Sequence, residues 1–382
     1  MTAYFDNSAT TRPLPQTVDA MRNALEVCWG NPSAANGLGT EAYDLLEKSR
    51  KTVIASLGIK DLQSGSLFFT GSGTEADNLA INGTVFSKNF RFRPRIITTD
   101  SEHPAVLRTV EYAESRGAEV IYLPTVGGVI DLEYAKSLLT PETVLVSIMR
   151  VNNETGAVYD IKPLFEAAKK LCPEAVTHTD AVQGYMKLDC NPKKLCADMV
   201  SFSGHKIGGP KGIGALWCDK ALITKKRILP VIFGGGQEGG YRSGTENMPG
   251  IAGLAAAAAA HDPEKDREKV VTVRERILSE LPSGTALNLP VGETLPNIIS
   301  LRCEGVKSEV LVRELASRGV SVSSGSACST KKLKTSHVLT AFGLAPKEAD
   351  STIRISISPE NTPEEADYLT ECLSAAIKRL KR

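Results

Sequence analysis

Between about residue 14 and residue 260 the apolar positions alternate between two periods. Val18, Met21, Leu25 and Cys28 recur at helical spacing, as do Ala42, Leu45, Ser49, Val53 and Leu57. Short, nearly continuous apolar runs follow at 67–70, 95–99, 120–123, 144–148, 176–179 and 198–202. Runs of that kind suit strands buried on both faces. Helices alternating with such strands predict an α/β domain around a mostly parallel sheet. The alanine run 255–260 reads as helix, not linker. Beyond it the pattern changes to a charged helix opening at His261, a strand at 297–301, a helix over 308–318 and a strand at Val320. A Ser/Gly/Lys-rich loop, a helix near His337, a strand over 352–356 and a last helix from Pro363 complete it. This order predicts a smaller α+β domain. The expected division is a large domain over 14–258, with 1–13 and 259–382 forming the small one.

Composition narrows the class. The chain has 382 residues, 42% hydrophobic and 23% charged, with a net charge of +1. That balance fits a globular protein and supplies no global field for nucleic acid or an anionic membrane. No apolar run is long enough to cross a bilayer. The first residues have neither a basic nor an apolar signal region, so a cytoplasmic location is expected. The eight cysteines show no CxxC pair. Several, such as Cys218 after Ala-Leu-Trp, read as small core residues, and no disulfide framework is expected.

Ligands of α/β domains sit at the carboxyl ends of the strands, and four such ends carry unusual residues. Phe69-Thr-Gly-Ser-Gly-Thr-Glu-Ala-Asp-Asn78 places Gly73 and Thr74 at the start of a helix. Free N–H groups there can cradle a phosphate, or the segment is a plain capped turn. It lacks the Gly-Lys-Ser/Thr of a nucleotide loop. Asp180, at the end of a strand, is either a helix cap or a buried acid wanting a cation such as a protonated pyridine nitrogen. Lys206 follows a strand between Ser203, His205 and a glycine-rich turn; it is a surface lysine or an amine placed to form a Schiff base. Cys328 lies in a small, polar, basic segment ending in Lys331-Lys-Leu-Lys334, where ammonium groups favour thiolate; the alternative is an incidental loop thiol. His103 caps a helix or works beside a ring, and Arg354 inside a β run grips a carboxylate, either a ligand's or an internal one.

Together these segments resemble the cysteine desulfurases of the nitrogen-fixation and iron–sulfur-cluster type, within the class V, fold-type I pyridoxal-phosphate transferases. The motifs are Gly30-Asn-Pro-Ser33, Gly73-Thr-Glu-Ala-Asp-Asn78, Val151-Asn-Asn-Glu-Thr-Gly156, Asp180-Ala-Val-Gln183, Ser203-Gly-His-Lys206, Arg242-Ser-Gly-Thr245 and Ser323-Ser-Gly-Ser-Ala-Cys328. The likeness runs from the stretch Tyr4-Phe-Asp-Asn-Ser-Ala-Thr-Thr11 to the strand at 351–356. It implies a seven-stranded sheet in the large domain and pyridoxal 5'-phosphate as cofactor. Lys206 would hold the cofactor covalently, Asp180 pair with its ring nitrogen, and His103 stack on the ring and help move protons. Gly73, Thr74, Ser203 and His205 would bind the phosphate, and Thr245 the phosphate in the partner subunit of a homodimer. Gln183 and Asn153 would hold the ring oxygen and the substrate side, with Asn153 and Arg354 gripping the substrate carboxylate. The implied reaction converts L-cysteine to L-alanine, leaves sulfur on Cys328 as a persulfide and passes it to an acceptor protein for iron–sulfur assembly or tRNA thiolation. No resident metal is implied, though Cys328 could ligate an iron–sulfur cluster transiently. A selenocysteine lyase or a small-amino-acid aminotransferase would share Lys206 and Asp180. A non-catalytic dimeric partner should have lost Lys206, Asp180 or Cys328, all of which are present.

Overall fold

The computed structural model describes residues 2–325 and 335–381; Cys328 and its basic neighbours lie outside them. Thirteen strands form three sheets among the described residues. Strands β1 (Ala3–Tyr4), β2 (Gly65–Thr70), β3 (Arg95–Thr99), β4 (Glu119–Leu123), β5 (Thr143–Ser147), β6 (Val176–Asp180), β7 (Met199–Ser203) and β8 (Gly214–Asp219) come first. Strands β9 (Thr285–Leu287), β10 (Ile298–Cys303), β11 (Val320–Ser321), β12 (Ser323–Ser324) and β13 (Thr352–Ser356) follow. The seven-stranded sheet has the order β2-β8-β7-β6-β5-β3-β4. It is parallel except for β8, which runs against both β2 and β7. Strands β5, β6 and β7 are buried along their whole length, which explains their unbroken apolar character.

Helices cover both faces of this sheet. Apolar residues from helix Gly37–Ser56 and helix Lys162–Leu171 pack on one side, those from Gly73–Val85 and Pro104–Ser115 on the other. The alanine run is the end of helix Met248–Ala260, which packs on helices Pro15–Glu26 and Gly37–Ser56. Its small side chains let three helix backbones approach closely. A second core joins helices Pro263–Ser279, Ser308–Ser317 and Pro363–Leu380 to the four-stranded sheet β12-β13-β10-β9. Ala3 and Phe5 belong to this core too, because β1 pairs with β11 in parallel.

Three local expectations are corrected. Helix Pro15–Glu26 forms as its spacing predicts, but its apolar stripe faces outward: Val18 is 51% and Leu25 61% exposed. The face turned inward carries Thr17 and Ala24. Strand β8 has no place among the strands read from the pattern, although the Ala-Leu-Trp-Cys stretch around Cys218 is its buried centre. Ser323 and Ser324, read as loop, pair with Arg354 and Ile353 of β13. Serines make a weak strand signal on their own.

Candidate active site

Sheet register sets the level of the site. Asp180 pairs with Ser201, and Gly214 of the antiparallel β8 pairs with both Ser203 and Thr70. The ends of β6, β7 and β2 therefore lie along one edge of the sheet, where ligands of open α/β sheets bind. After β2, Ser72 caps helix Gly73–Val85 by accepting from the N–H of Glu75. A Cβ on Gly73 would stand 2.7 Å from Val182 and 3.4 Å from Ser203. Glycine at this position thus lets the helix start close against the β6 and β7 ends, with the backbone N–H groups of its first turn bare of bulk.

Asp180 is 5% exposed. Its Oδ1 accepts from the N–H of Val182 at 2.8 Å. Burial raises its carboxyl pKa to about 6, while the Val182 N–H and the Lys206 ammonium pull the other way. Beneath it lies a polar chain. Ser147 Oγ stands 2.8 Å from His178 Nδ1, His178 Nε2 stands 3.1 Å from Ser201 Oγ, and Ser201 donates to Asp77. Burial holds His178 neutral, with its pKa down near 3.

Lys206 ends the single 3₁₀ turn Gly204–Lys206 that follows β7. Its Nζ donates to the carbonyls of Ser8 and Ala9. The Ser8 carbonyl also accepts from Gln183 Nε2 at 3.0 Å. His205 Nδ1 is 3.2 Å from Thr10 Oγ1, and Thr11 Oγ1 donates to the His205 carbonyl. His103 takes up the helix-cap role of its two readings. Its Nδ1 accepts from the N–H of Ala105 and caps helix Pro104–Ser115. The neutral ring then carries its proton on Nε2. Burial, Lys206 and His337 push its pKa down to about 4, and burial followed by lysine neighbours does the same for His205. Next to His103, burial pushes Glu102 up to about 8.

Asn153 sits in the tight turn after β5, where Asn152 Oδ1 accepts from the N–H groups of Glu154 and Thr155. Arg354, 7% exposed in β13, donates Nη1 to the Asn153 carbonyl at 2.9 Å and Nη2 to Asp6 Oδ1 at 2.8 Å. Of the two readings of Arg354, the structure shows the internal ion pair, with Asp6. Thr245 is exposed and lies apart from this cluster, on a smaller cavity of about 180 Å³ shared with Gly71 and Arg242. Thr74 is exposed at the helix start.

Asp6, Ser8 and Ala9 carry no role in the sequence reading, although they touch Arg354, Gln183 and Lys206. A short polar stretch near a chain end has no periodicity to betray its place, and the only signal was the Tyr4–Thr11 likeness. Lys187 was also missed. It lines the same cavity of about 320 Å³ as Lys206, Ser8 and Asn7. Burial, then Lys206 and Arg354, push its amine down to about 7. The seven described cysteines are all free thiols, five of them buried. Burial drives those of Cys190 and Cys303 up to about 12, far from thiolate at neutral pH.

The residues fit pyridoxal phosphate. Of the twelve buried side-chain polar atoms without a hydrogen-bond partner among the described residues, three gather here: Asn153 Oδ1, Gln183 Oε1 and Ser203 Oγ. Buried groups are rarely left so, and three at one strand edge imply a polar ligand that satisfies them. Beside them are an acid that wants a cation, a lysine at a strand end and a glycine-started helix. Fold and site together define a fold-type I pyridoxal-phosphate enzyme.

Comparison with known proteins narrows this. The model of the aminotransferase class-V family matches residues 3–369. A protein named cysteine desulfurase IscS from Methanosarcina thermophila is 36% identical, over 99% of this chain and 92% of its own. A solved NifS-like protein superposes with a TM-score of 0.91 at 36% identity, covering all of both chains. A structure described as SspA in complex with cysteine superposes with a TM-score of 0.83 at 33% identity, over 94% of this chain and all of that one. The chain belongs to the class V aminotransferase family, in its cysteine desulfurase branch, and pyridoxal phosphate is its cofactor.

Proposed function

We propose that the chain converts L-cysteine to L-alanine, takes the sulfur onto Cys328 as a persulfide, and hands it to an acceptor protein. The observation that carries the reading is the set of unsatisfied buried atoms on Asn153, Gln183 and Ser203 beside Lys206 and Asp180. Lys206 would hold the cofactor, with Asp180 opposite the ring nitrogen and neutral His103 on the ring. Gly73, Thr74, Ser203 and His205 would take the phosphate, Gln183 and Asn153 the ring oxygen. Pyridoxal phosphate, when bound, supplies a sink for the electrons released at the substrate carbon. Asn153 and Arg354 orient the substrate carboxylate, and Lys206 carries the proton taken from Cα. The Cys328 thiolate bonds to the substrate sulfur as the carbon–sulfur bond breaks. Those electrons stay with the carbon skeleton, which takes up a proton and leaves as alanine.

We further propose a homodimer in which Thr245 reaches the partner's phosphate. Supporting this, Val18, Leu25, Trp29 and Tyr43 are 51–62% exposed, a concentration of apolar surface near one helix pair. The division into 14–258 against 1–13 with 259–382 is kept as a proposal, supported by the pairing of β1 with β11. The acceptor, whether for iron–sulfur assembly or tRNA thiolation, and a cytoplasmic setting belong to the same proposal. No described helix is long and apolar enough to cross a membrane.

The test supplies cysteine and a reductant to wild type, Lys206→Ala and Cys328→Ser, and assays alanine and sulfide. Wild type should form both in equal amounts. Lys206→Ala should form neither, and Cys328→Ser should bind cysteine yet release almost no sulfide. Normal desulfuration by Cys328→Ser would sink the persulfide assignment, and conversion of cysteine to its 2-oxo acid in the presence of a 2-oxo acid acceptor, with neither alanine nor sulfide formed from it, would favour an aminotransferase-like reading.

A further inference from the structure

Arg354 is a nearly buried cation whose charge is already answered inside the protein. Its Nη2 donates to Asp6 Oδ1 at 2.8 Å and its Nη1 to the Asn153 carbonyl at 2.9 Å. A guanidinium has five N–H donors. These two bonds use one on each terminal nitrogen and leave one on each, besides that on Nε, for a carboxylate to take. Nε has no partner among the described residues.

Asp6 cannot follow a ligand away from this place without breaking the sheet. Phe5 donates its N–H to Ser321 O at 2.8 Å and accepts from the N–H of Ser356 at 2.7 Å. Asp6 itself bridges Ser356 in parallel register, two residues along β13 from Arg354. Asn7 Nδ2 and the N–H of Ser8 bond Ser356 again, at 2.8 Å each. The chain on both sides of Asp6 is therefore stitched to the strand that carries the arginine. Its side chain reads as a fixed partner, not a stand-in that a substrate carboxylate would displace.

We propose that Asp6 is a positioning residue for the substrate grip of Arg354: with the Asn153 carbonyl it fixes the guanidinium in one orientation and leaves its remaining N–H groups for the amino-acid carboxylate. The proposal rests on the reading that Arg354 takes that carboxylate. An unpaired arginine at this depth would be costly to keep charged. With Asp6 in place the cation is charged and oriented before substrate arrives, so little reorganisation is left for the binding step.

The test uses the cofactor-loaded enzyme with Asp6→Ala, Asp6→Asn and Arg354→Lys, reading KM and kcat for L-cysteine. Inhibition by L-alanine and by ethylamine, which lacks the carboxylate, is compared in parallel. Asp6→Ala should raise KM for cysteine and the inhibition constant for alanine by roughly tenfold, the worth of one hydrogen bond to a charged group. The KM effect should exceed the kcat effect, and ethylamine inhibition should hold at its wild-type value. Asp6→Asn keeps an acceptor oxygen and should lie between, and it carries the test if Asp6→Ala lowers the melting temperature. A fall in KM would make Asp6 a competitor of the substrate and overturn the proposal. Unchanged KM, or equal weakening of alanine and ethylamine, would overturn it too. Arg354→Lys with unaltered KM would instead remove the carboxylate reading itself, whatever the Asp6 variants do.

Discussion

Asp180 and Arg354 are charged side chains on buried strands of two different sheets, 5% and 7% exposed. Their surroundings differ. Arg354 has its counter-charge built in, Asp6, and a carbonyl besides. Asp180 has one N–H bond, a carboxyl pushed up to about 6 by burial, and neighbours whose polar atoms lack partners. On the proposed assignment, the group that would take the substrate carboxylate has its counter-charge within the protein, whereas the acid that would meet the ring nitrogen is answered only by one N–H and by Lys206. A protein accepts a half-satisfied polar cluster only where a ligand completes it.

Removing the acid breaks the comparison most directly. Asp180→Asn should lower kcat by about 100- to 1,000-fold, the usual cost of one preorganised electrostatic partner. Steady-state kinetics with saturating cofactor would show it, and near-normal kcat would mean the carboxylate is not the ring's partner. On the other sheet, Arg354→Ala should raise KM for cysteine by about 100-fold, within the range for removing one member of a buried charge pair. It should also destabilise the fold, because Asp6 is left without its cation.

Two more buried carboxyls, Glu102 next to His103 and Glu154 next to Asn153, sharpen the contrast through pH. Burial raises Glu102 to about 8 and Glu154 to about 7, against 4.5 for the ordinary group. A raised acid is held protonated in the fold. Its contribution is complete below about pH 4.5 and declines as the pH rises, ending near 7 for Glu154 and near 8 for Glu102. For Glu154, which accepts from Ser336 at 2.6 Å, the decline amounts to roughly 3 kcal/mol. Glu154→Gln should flatten the stability profile measured by denaturant titration between pH 4.5 and 7 and leave the Glu102 decline up to pH 8 in place. A profile identical to wild type would show that Glu154 is already ionised in the fold. The smallest expected effect is the most telling in sign. Ser203→Ala removes an unsatisfied hydroxyl, so it should stabilise the cofactor-free protein by about 1 kcal/mol yet weaken cofactor binding. Melting curves with and without cofactor separate the two.

Much of this was readable in the chain, for physical reasons. The buried parallel strands are nearly all apolar and announce themselves, and Lys206 stands out because the polar residues around it have no packing role, whereas Asp180 alone reads as readily as a helix cap and gains its role only from the family likeness. Strand β8 escaped because Ala-Leu-Trp-Cys follows a long glycine-rich turn and carries no alternation. The outward direction of the stripe on helix Pro15–Glu26 is not legible in the chain, because periodicity fixes which residues share a face and not what the face meets. Asp6 was invisible for a related reason: its partner lies 348 residues away in sequence, and only the pairing of the first residues with Ser356 brings the two together.

The central claim is that Lys206 is the amine reserved for pyridoxal phosphate. Borohydride reduction of the reconstituted protein, followed by peptide mass spectrometry, tests it directly. The account predicts one fixed cofactor per chain on the peptide carrying Lys206, and none in Lys206→Ala. A label on Lys187 or Lys211 in place of Lys206, or a wild-type protein that fixes no cofactor, would contradict it.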